Sequence, residues 1–345
     1  MMIHPDKIES VSQLEDILSC PSQAVVSALH AIDGDLLILG AGGKMGPTLA
    51  MMAKRALDQA GNQRDVIAAS RFSDEAARNR LTQAGIKTIS CDLLDPSAIN
   101  ALPDVQHVIY MAGMKFGASQ APGLTWALNA YMPGLVAARF PKASMVVFSS
   151  GNVYPFTPVT GGGCDEFTPA APVGEYAMSV LGRERVIGHF SQTTGLKCLI
   201  FRLNYAIELR YGVLLDIAQK VWRSEPVDLA MGSMNAIWQG DANAIALRCL
   251  ALAESPPRIL NVTGPETLSV RALANAFGRI MHRDPLFAGC EQPEALMANA
   301  TECQRLFGYP QVPIGQVVAW VAEWVRAEGA TLGKPTKFAV RDGHY

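Results

Sequence analysis

Short apolar runs alternate with helical patterns along the first two thirds of the chain. Four consecutive apolar residues, Leu36–Leu39, predict a short buried strand. Similar runs predict further strands at residues 65–71, 87–90, 107–110 and 145–148. Amphipathic patterns predict helices at residues 47–57, 74–84, 96–101 and 126–140. This alternation predicts an α/β fold with a Rossmann-type doubly wound parallel sheet, covered by helices on both faces.

Helical spacing also occurs outside this region. Residues 8–18 and 25–32 predict two short amphipathic helices, and residues 316–326 predict another near the end. We therefore expect a helical N-terminal extension at 1–34, a Rossmann domain at 35–204 and a smaller, mainly substrate-binding C-terminal domain at 205–345. The extension is expected to pack against the sheet or a partner subunit. The polar and aromatic tail at 337–345 either folds over a site or forms surface or disordered chain.

Composition narrows the functional class. The chain has 345 residues, of which 49% are hydrophobic and 17% are charged, as in α/β enzymes with a large core. The net charge of −2 gives no electrostatic case for nucleic acid. No apolar run reaches the roughly 18 residues that span a bilayer, and the N-terminus lacks the order of a signal peptide. We expect a cytoplasmic protein with no membrane partner, free cysteine thiols and no metal.

Three glycines separate the first strand from the first helix of the sheet region. Gly40, Gly43 and Gly46 follow the spacing G-x-x-G-x-x-G. Gly40 would allow a sharp turn, Gly43 the close approach of a pyrophosphate, and Gly46 the packing of the helix near the sheet. The helix N-terminus adds free N–H groups and partial positive charge. With the intervening Lys44 and Met45, these glycines predict a dinucleotide site, although such turns also occur without a ligand.

The end of the second predicted strand bears on cofactor choice. An acidic residue there binds the adenosine ribose hydroxyls and selects NAD, but this chain has Ser70-Arg71. A hydroxyl and a guanidinium suit a 2′-phosphate, which favours NADP somewhat over NAD. The alternative is that Arg71 is a solvated loop residue.

The next strand ends add further signals at the same edge. Asp92, followed by Leu93, could accept a hydrogen bond from an adenine amino group. The small residues Ala112 and Gly113 would let a flat cofactor lie against the backbone. Because the carboxyl ends of parallel strands share one edge, these residues and the glycine turn are expected to line one site.

Several segments beyond these strand ends resemble a known family. Residues 148–154, Phe-Ser-Ser-Gly-Asn-Val-Tyr, resemble the serine loop of extended short-chain dehydrogenases/reductases, the NAD-dependent epimerase/dehydratase family. Residues 165–169 and 172–176 resemble its approach to a catalytic tyrosine. Residues 108–115 are similar to the corresponding stretch of the UDP-galactose 4-epimerases in that family. Residues 261–270 resemble its late substrate-domain strand and the start of a helix. The resemblance covers about residues 35 to 327.

The resemblance implies roles for particular residues. Tyr176 would be the general acid/base for a substrate hydroxyl, and Ser150 would orient the same oxygen. Lys115 and Asn129 would lie near the cofactor. A homodimer is implied, formed by the helices that hold Asn129 and Tyr176. The resemblance also places a sugar pocket near Tyr205, and a larger set could contribute to it, namely Glu208, Arg210, Tyr211, Trp222, Trp238 and Gln239.

One departure from the family pattern bears on activity. The family has Tyr-x-x-x-Lys, and here the fifth position is Val180. A lysine there lowers the tyrosine pKa from about 10 toward neutrality. Two cations could replace it: Arg183, which is near the same helix face, or Lys115, which enters from the loop after the fourth strand.

These features favour an NAD(P)-dependent oxidoreductase or epimerase acting on a hydroxyl of a sugar, nucleotide sugar or sugar acid. Two alternatives stay open. The chain could be a non-catalytic NAD(P)-binding module that has lost the lysine. It could also be a lyase or isomerase that uses Tyr176 without net redox change.

Overall fold

Seven parallel strands form the central sheet in the computed structural model, which describes residues 5–334 and 336–344. The strands of the chain are Leu36–Leu39 (β1), Val66–Ser70 (β2), Lys87–Ser90 (β3), His107–Tyr110 (β4), Ser144–Ser150 (β5), Thr157–Pro158 (β6), Lys197–Leu203 (β7), Ala206–Ile207 (β8), Val227–Asp228 (β9), Ser233–Met234 (β10), Ile237–Trp238 (β11), Arg258–Val262 (β12), Leu268–Ser269 (β13), Phe287–Ala288 (β14) and Glu294–Ala295 (β15).

The helices surround this sheet and build a second half beside it. They are Val11–Leu18 (α1), Gln23–Ala31 (α2), Gly46–Gln59 (α3), Glu75–Gln83 (α4), Pro96–Asn100 (α5), Pro122–Trp126 (α6), Met132–Arg139 (α7), Gly174–Thr194 (α8), Val213–Trp222 (α9), Gln239–Arg248 (α10), Val270–Met281 (α11), Thr301–Phe307 (α12) and Ile314–Arg326 (α13). A π-helical turn, Ala127–Tyr131, joins α6 to α7.

The order of the strands confirms the predicted doubly wound sheet. It runs β12-β7-β5-β4-β1-β2-β3, so the chain reverses direction across the sheet between β1 and β4. At this switch point Leu36 pairs with Val66 on one side and with His107 on the other. Helices diverge above and below the sheet there, which leaves a crevice beyond the carboxyl ends of the strands.

The central strand β1 shows why both faces of the sheet are covered. Successive side chains of a strand point to opposite faces. Leu36 and Ile38 therefore join the core beneath α2, α3 and α10, whereas Leu37 and Leu39 join the core beneath α7 and α8. All four are buried, which explains a continuous apolar run in place of an alternating one.

The second half has its own core, formed mainly by α9, α11 and α13. The N-terminal extension divides between the two cores: Leu14 and Leu18 of α1 pack into the second half, and Val25 of α2 packs against the sheet. The late strand predicted for the substrate domain is placed differently. It is β12, the edge strand of the central sheet, where Asn261 pairs with Arg202. The helices within the described ranges are too short or too polar to traverse a bilayer.

Candidate active site

A cavity of about 660 Å³ lies at the carboxyl edge of the sheet, where the two halves meet. The sheet half contributes the glycine turn, the ends of β4 and β5, and the start of α8. The sheet half also contributes Leu203 and Asn204 at the end of β7 and Gln239 at the start of α10, whereas the second half contributes residues 205–206 and 210–213 and a late segment that includes Lys334. The glycine turn and the ends of β4 and β5 therefore line one cavity, whereas the ends of β2 and β3 are not part of its described wall.

The glycine turn forms a close-packed cradle on this wall. Gly40 has a φ of +87°, and a Cβ there would lie 2.7 Å from the Ala112 nitrogen. A Cβ at Gly46 would lie 2.4 Å from the Ala41 carbonyl oxygen. Gly43, Lys44 and Met45 line the cavity, and no side chain caps the start of α3. The uncapped N–H groups of the helix and the room left by absent Cβ atoms fit a pyrophosphate.

The end of β2 contributes less to the cavity than its sequence suggests. Ser70 lies against the turn, since a Cβ on Gly42 would be 2.7 Å from its hydroxyl oxygen. Arg71 is exposed and is not part of the described wall. Asp74 and Arg80 from the following residues line the cavity instead. Asp74 also caps α4, accepting a hydrogen bond from the Ala77 N–H at 3.1 Å.

The residues predicted at the ends of β3 and β4 are placed at different depths. Asp92 accepts a hydrogen bond from the Leu94 N–H at 3.0 Å, and Leu93 is buried in the sheet core. Neither belongs to the described wall of the cavity. Ala112 packs against the glycine turn, and Gly113 lines the cavity. A Cβ on Gly113 would lie 2.4 Å from Arg183 Nη2, so a larger residue there would displace that buried side chain.

Asn129 lies behind the wall and holds the loop after β4. Its side chain accepts a hydrogen bond from the Met114 N–H at 2.8 Å and donates to the Met114 carbonyl at 2.8 Å. It also donates to Ser179 at 2.9 Å. The residue sits in the π-helical turn, a local widening common at functional sites. By fixing Met114, it positions the next residue, Lys115, which lines the cavity.

Tyr176 and Ser150 both reach the cavity, one from the first turn of α8 and the other from the last residue of β5. Burial raises the pKa of Tyr176, while its hydrogen bond with Ser150 and the charge of Arg183 act in the opposite direction. The Ser150 hydroxyl donates to Asn152 Oδ1 at 2.9 Å and accepts from the Asn152 N–H at 3.2 Å. These bonds hold Ser150 in place.

Val180 and Arg183 are both directed away from the cavity. Val180 is 2% exposed and packs in a small apolar cluster that includes Val153. Arg183 is buried, donating to the Phe148 carbonyl at 2.6 Å and to the Asn129 carbonyl at 3.1 Å. It fastens β5 to the π-helical turn. Its charge acts to lower the pKa of Tyr176, while its side chain is held behind the cavity wall by these carbonyls and by Asn129 Oδ1 at 3.1 Å.

Two lysines occupy the cavity wall near Tyr176. Lys115 Nζ lies 5.6 Å from the centroid of the Tyr176 ring, and burial lowers the Lys115 pKa to about 8. Lys44 Nζ lies 3.1 Å from the centroid of Tyr211 and 4.7 Å from that of Phe116. Burial, reinforced by the neighbouring lysine charges, lowers its pKa to about 7. The wall thus carries two amines that titrate near neutral pH.

Sequence reasoning missed the contribution of the N-terminal extension. Glu15 of α1 lines the cavity, pairs with Arg210 at 2.9 Å and lies 3.6 Å from Arg80. It therefore links the second half to α4 of the sheet half. No local sequence pattern predicts this role of Glu15, because Arg80 and Arg210 are both distant from it in the sequence. The sequence indicates only that α1 has a polar face.

Of the remaining residues predicted for the sugar pocket, some line the cavity and others lie outside it. Tyr205, Arg210, Tyr211 and Gln239 line the cavity. Glu208 is buried and bonds Arg210 at 3.1 Å. The two tryptophans belong elsewhere: Trp238 packs on Trp320 with 5.4 Å between ring centroids, and Trp222 lies under Arg283.

The tail is ordered surface over residues 337–344 and does not cover the cavity. Phe338 is buried in the second core, and Arg341 donates to the Glu294 carbonyl at 2.8 Å. The segment just before it does reach the site, since Leu332, Lys334 and Thr336 line the cavity. Tyr345 lies outside the described residues.

Comparison with known proteins adds a family and a fold. Residues 36–207 match the sequence model of the NAD dependent epimerase/dehydratase family. No curated protein sequence matches the chain.

Solved structures share the fold over most of the chain. UDP-glucuronic acid 4-epimerase from Bacillus cereus, solved with NAD, is 15% identical with a TM-score of 0.71, covering 85% of this chain and 98% of that one. UDP-glucose 4-epimerase from Thermotoga maritima, solved with UDP-glucose, is 16% identical with a TM-score of 0.69 over 85% and 99% of the two chains. The UDP-glucose 4-epimerase from Thermus thermophilus, solved with NAD, is 18% identical with a TM-score of 0.68 over 85% and 99%.

Proposed function

We propose, from the membership of residues 36–207 in the NAD dependent epimerase/dehydratase family, that this chain is an NAD(P)-dependent oxidoreductase or epimerase. Its substrate would be a hydroxyl of a sugar, nucleotide sugar or sugar acid. The observation that carries the proposal is the convergence of Ser150, Tyr176 and Lys115 on one cavity that also contains the glycine cradle. The neighbouring structures bind NAD or UDP-sugars, which supports the same class.

Each residue has a chemical task in this proposal. A bound nicotinamide dinucleotide supplies the hydride acceptor and donor. Ser150 holds the reacting hydroxyl of the substrate, and Tyr176 takes its proton during oxidation and returns it during reduction. Lys115 supplies positive charge near the phenol, the task that Val180 cannot perform. Because Lys115 enters from the β4 loop, its contact with Tyr176 is made across the cavity and not along α8.

The cofactor would lie along the glycine cradle. Gly40, Gly43 and Gly46 leave room for the backbone to approach a pyrophosphate, and Lys44 and Met45 stand at the helix start that faces it. NADP remains a prediction from Ser70-Arg71. The neighbours were solved with NAD, and Asp74, a carboxylate in the same part of the wall, would repel a 2′-phosphate. We therefore propose that both cofactors be compared directly.

A homodimer is proposed from the apolar surface of two helical segments. Trp126 at the end of α6 and Tyr131 at the end of the π-helical turn are 38% and 58% exposed, and Met178 on α8 is 45% exposed. These segments pack side by side. Large exposed apolar side chains on adjacent helices are typical of subunit contacts. Sedimentation of the wild type against Tyr131→Glu would test this, and an unchanged mass would argue against this face.

Thermal unfolding with NAD, NADP or no cofactor tests the binding part of the proposal. A ligand at 100 times its dissociation constant adds about 2.7 kcal/mol to the unfolding free energy, so the cofactor that binds should raise the melting temperature. If neither cofactor stabilises protein that is free of copurified nucleotide, the proposal fails.

A tyrosine pair tests the chemistry. Tyr176→Phe should abolish turnover of a sugar substrate while leaving cofactor binding intact, whereas Tyr309→Phe, at an exposed site, should change neither. Cofactor binding without turnover in the wild type would favour the second candidate, a non-catalytic NAD(P)-binding module. The replacement of the family lysine by Val180 is the observation that supports that candidate.

A further inference from the structure

We propose that Lys44 and Lys334 form a subsite for an anionic oxygen group of the substrate, a carboxylate or a phosphate close to the reacting hydroxyl. This inference rests on the proposed function and deepens it, since it restricts the substrate to an acidic sugar or a sugar phosphate. It follows from the position of Lys44, from the charges around it and from the aromatic rings that enclose it.

The Lys44 side chain leaves the glycine turn and extends toward the second half of the protein. Its ammonium lies on the face of Tyr211, 3.1 Å from the ring centroid, and 4.7 Å from that of Phe116. Tyr211 belongs to the second half, which also contributes Lys334 and Thr336 to the cavity wall. The backbone of Lys44 is therefore part of the glycine cradle, whereas its ammonium group lies at the wall that the second half of the protein forms.

Two lysines and two carboxylates act on the charge of Lys44. Lys115 and Lys334 both act to lower its pKa, whereas Asp216 and Glu208 act to raise it. Both carboxylates already have other partners: Asp216 accepts a hydrogen bond from the Thr336 N–H at 2.8 Å, and Glu208 bonds Arg210 at 3.1 Å.

The described residues offer Lys44 no carboxylate within ion-pair distance, 4.0 Å. Burial, the largest influence, lowers its pKa to about 7. An enclosed ammonium without a counter-ion is costly. A ligand anion between Lys44 and Lys334 would supply the missing charge in a site where Tyr211 and Phe116 limit screening by water.

The cofactor is the competing source of anionic oxygens. Its pyrophosphate would be held by the N–H groups at the start of α3, for which no side chain is needed. Lys334, by contrast, comes from the late segment and lies outside that cradle. A requirement for Lys334 therefore separates a substrate subsite from a second contact to the cofactor.

Calorimetric titration would test the subsite in protein saturated with its cofactor, using glucose, glucuronate, glucose 6-phosphate and inorganic phosphate at constant ionic strength. We expect at least one of the three anions to bind and glucose to bind more weakly. Lys44→Met and Lys334→Met should each weaken anion binding by at least about tenfold, as for loss of a hydrogen bond to a charged group. Lys142→Met, an exposed lysine, should leave it unchanged. If glucuronate binds most tightly, the anionic group of the substrate is a carboxylate. If glucose 6-phosphate binds most tightly, it is a phosphate.

Three results would overturn the proposal. Anion binding could be equally strong in the Lys44 and Lys334 variants, or none of the anions could bind the wild type. Alternatively, Lys44→Met could weaken cofactor binding tenfold with no effect on the anions, which would assign Lys44 to the pyrophosphate. If the wild type bound neither NAD nor NADP, the proposed function would fail separately. The Lys334 comparison, repeated without cofactor, would then still decide whether the anion subsite exists.

Discussion

Replacing Lys115 by methionine removes the cation proposed to stand in for the family lysine. The separation between Lys115 Nζ and the Tyr176 ring centroid is 5.6 Å. Coulomb's law at that distance gives about 3 kcal/mol with an effective dielectric constant of about 20, and about 0.7 kcal/mol in bulk water. These limits correspond to about 0.5 to 2 pKa units. Because both side chains are half-buried, we expect a value between the limits.

The direction of the change follows from the charge. Burial lowers the Lys115 pKa to about 8, so the ammonium is present below that pH; in the proposed role it favours proton loss from Tyr176 there. Without the ammonium, proton loss from Tyr176 below about pH 8 should become less favourable by about 0.5 to 2 pKa units, and kcat for substrate oxidation in that range should fall by about 3- to 100-fold. The plot of kcat against pH should also lose the change near pH 8 that titration of the Lys115 amine contributes in the wild type.

The assay is the pH dependence of kcat for wild type, Lys115→Met, Lys115→Arg and the exposed-lysine control Lys142→Met. Lys115→Arg keeps a permanent charge, so it should retain much of the wild-type kcat below pH 8 and should lose the pH dependence that the Lys115 amine contributes near pH 8. An unchanged pH profile in Lys115→Met would refute the assignment. A similar shift in Lys142→Met would attribute the effect to the overall charge of the protein and not to the position of Lys115.

Three other predictions concern stability and binding. Gly46→Ala should abolish thermal stabilisation by the cofactor and lower the melting temperature, because its Cβ would lie 2.4 Å from the Ala41 carbonyl oxygen; a normal response would contradict the cradle. Glu184→Gln should cost about 3–5 kcal/mol of unfolding free energy in urea, since it breaks a buried pair with Arg202; a loss below 1 kcal/mol, the range of exposed pairs, would contradict this. The lowered pKa of Lys44 makes the folded state bind fewer protons than the unfolded state between about pH 7 and 10.5, so stability should rise with pH in that interval. Lys44→Met should flatten this rise, and an unchanged pH dependence would show that Lys44 does not cause it.

The replacement at position 180 is accommodated by local packing. Val180 fills an apolar cluster with Val153, where a lysine would bury its charge. Position 183, one helical turn further, carries a cation that binds backbone carbonyls of two elements. The positive charge near Tyr176 is thus divided between a structural arginine behind the wall and Lys115 in front of it.

The N-terminal extension joins the two halves more directly than packing alone would require. Glu15 is half-buried between Arg80 and Arg210, which belong to different halves of the protein. The Trp320 indole donates to the Pro5 carbonyl at 2.9 Å and fastens the same segment to the second core. The extension therefore completes one rim of the cavity.

The sequence by itself determined the succession of strands and helices in the sheet region, the glycine turn and its convergence with the ends of β4 and β5. These features depend on neighbours in the chain: an apolar run forms a buried strand, glycine permits a turn, and parallel strands end at one edge. The tertiary structure alone decided which side chains face the cavity. Arg71 is exposed to solvent. The side chains of Asn129 and Arg183 form hydrogen bonds with backbone groups. Glu15 and Lys334 reach the cavity from segments that are distant in the sequence. The direction of a long side chain depends on partners that only the assembled fold brings near, which no local pattern encodes.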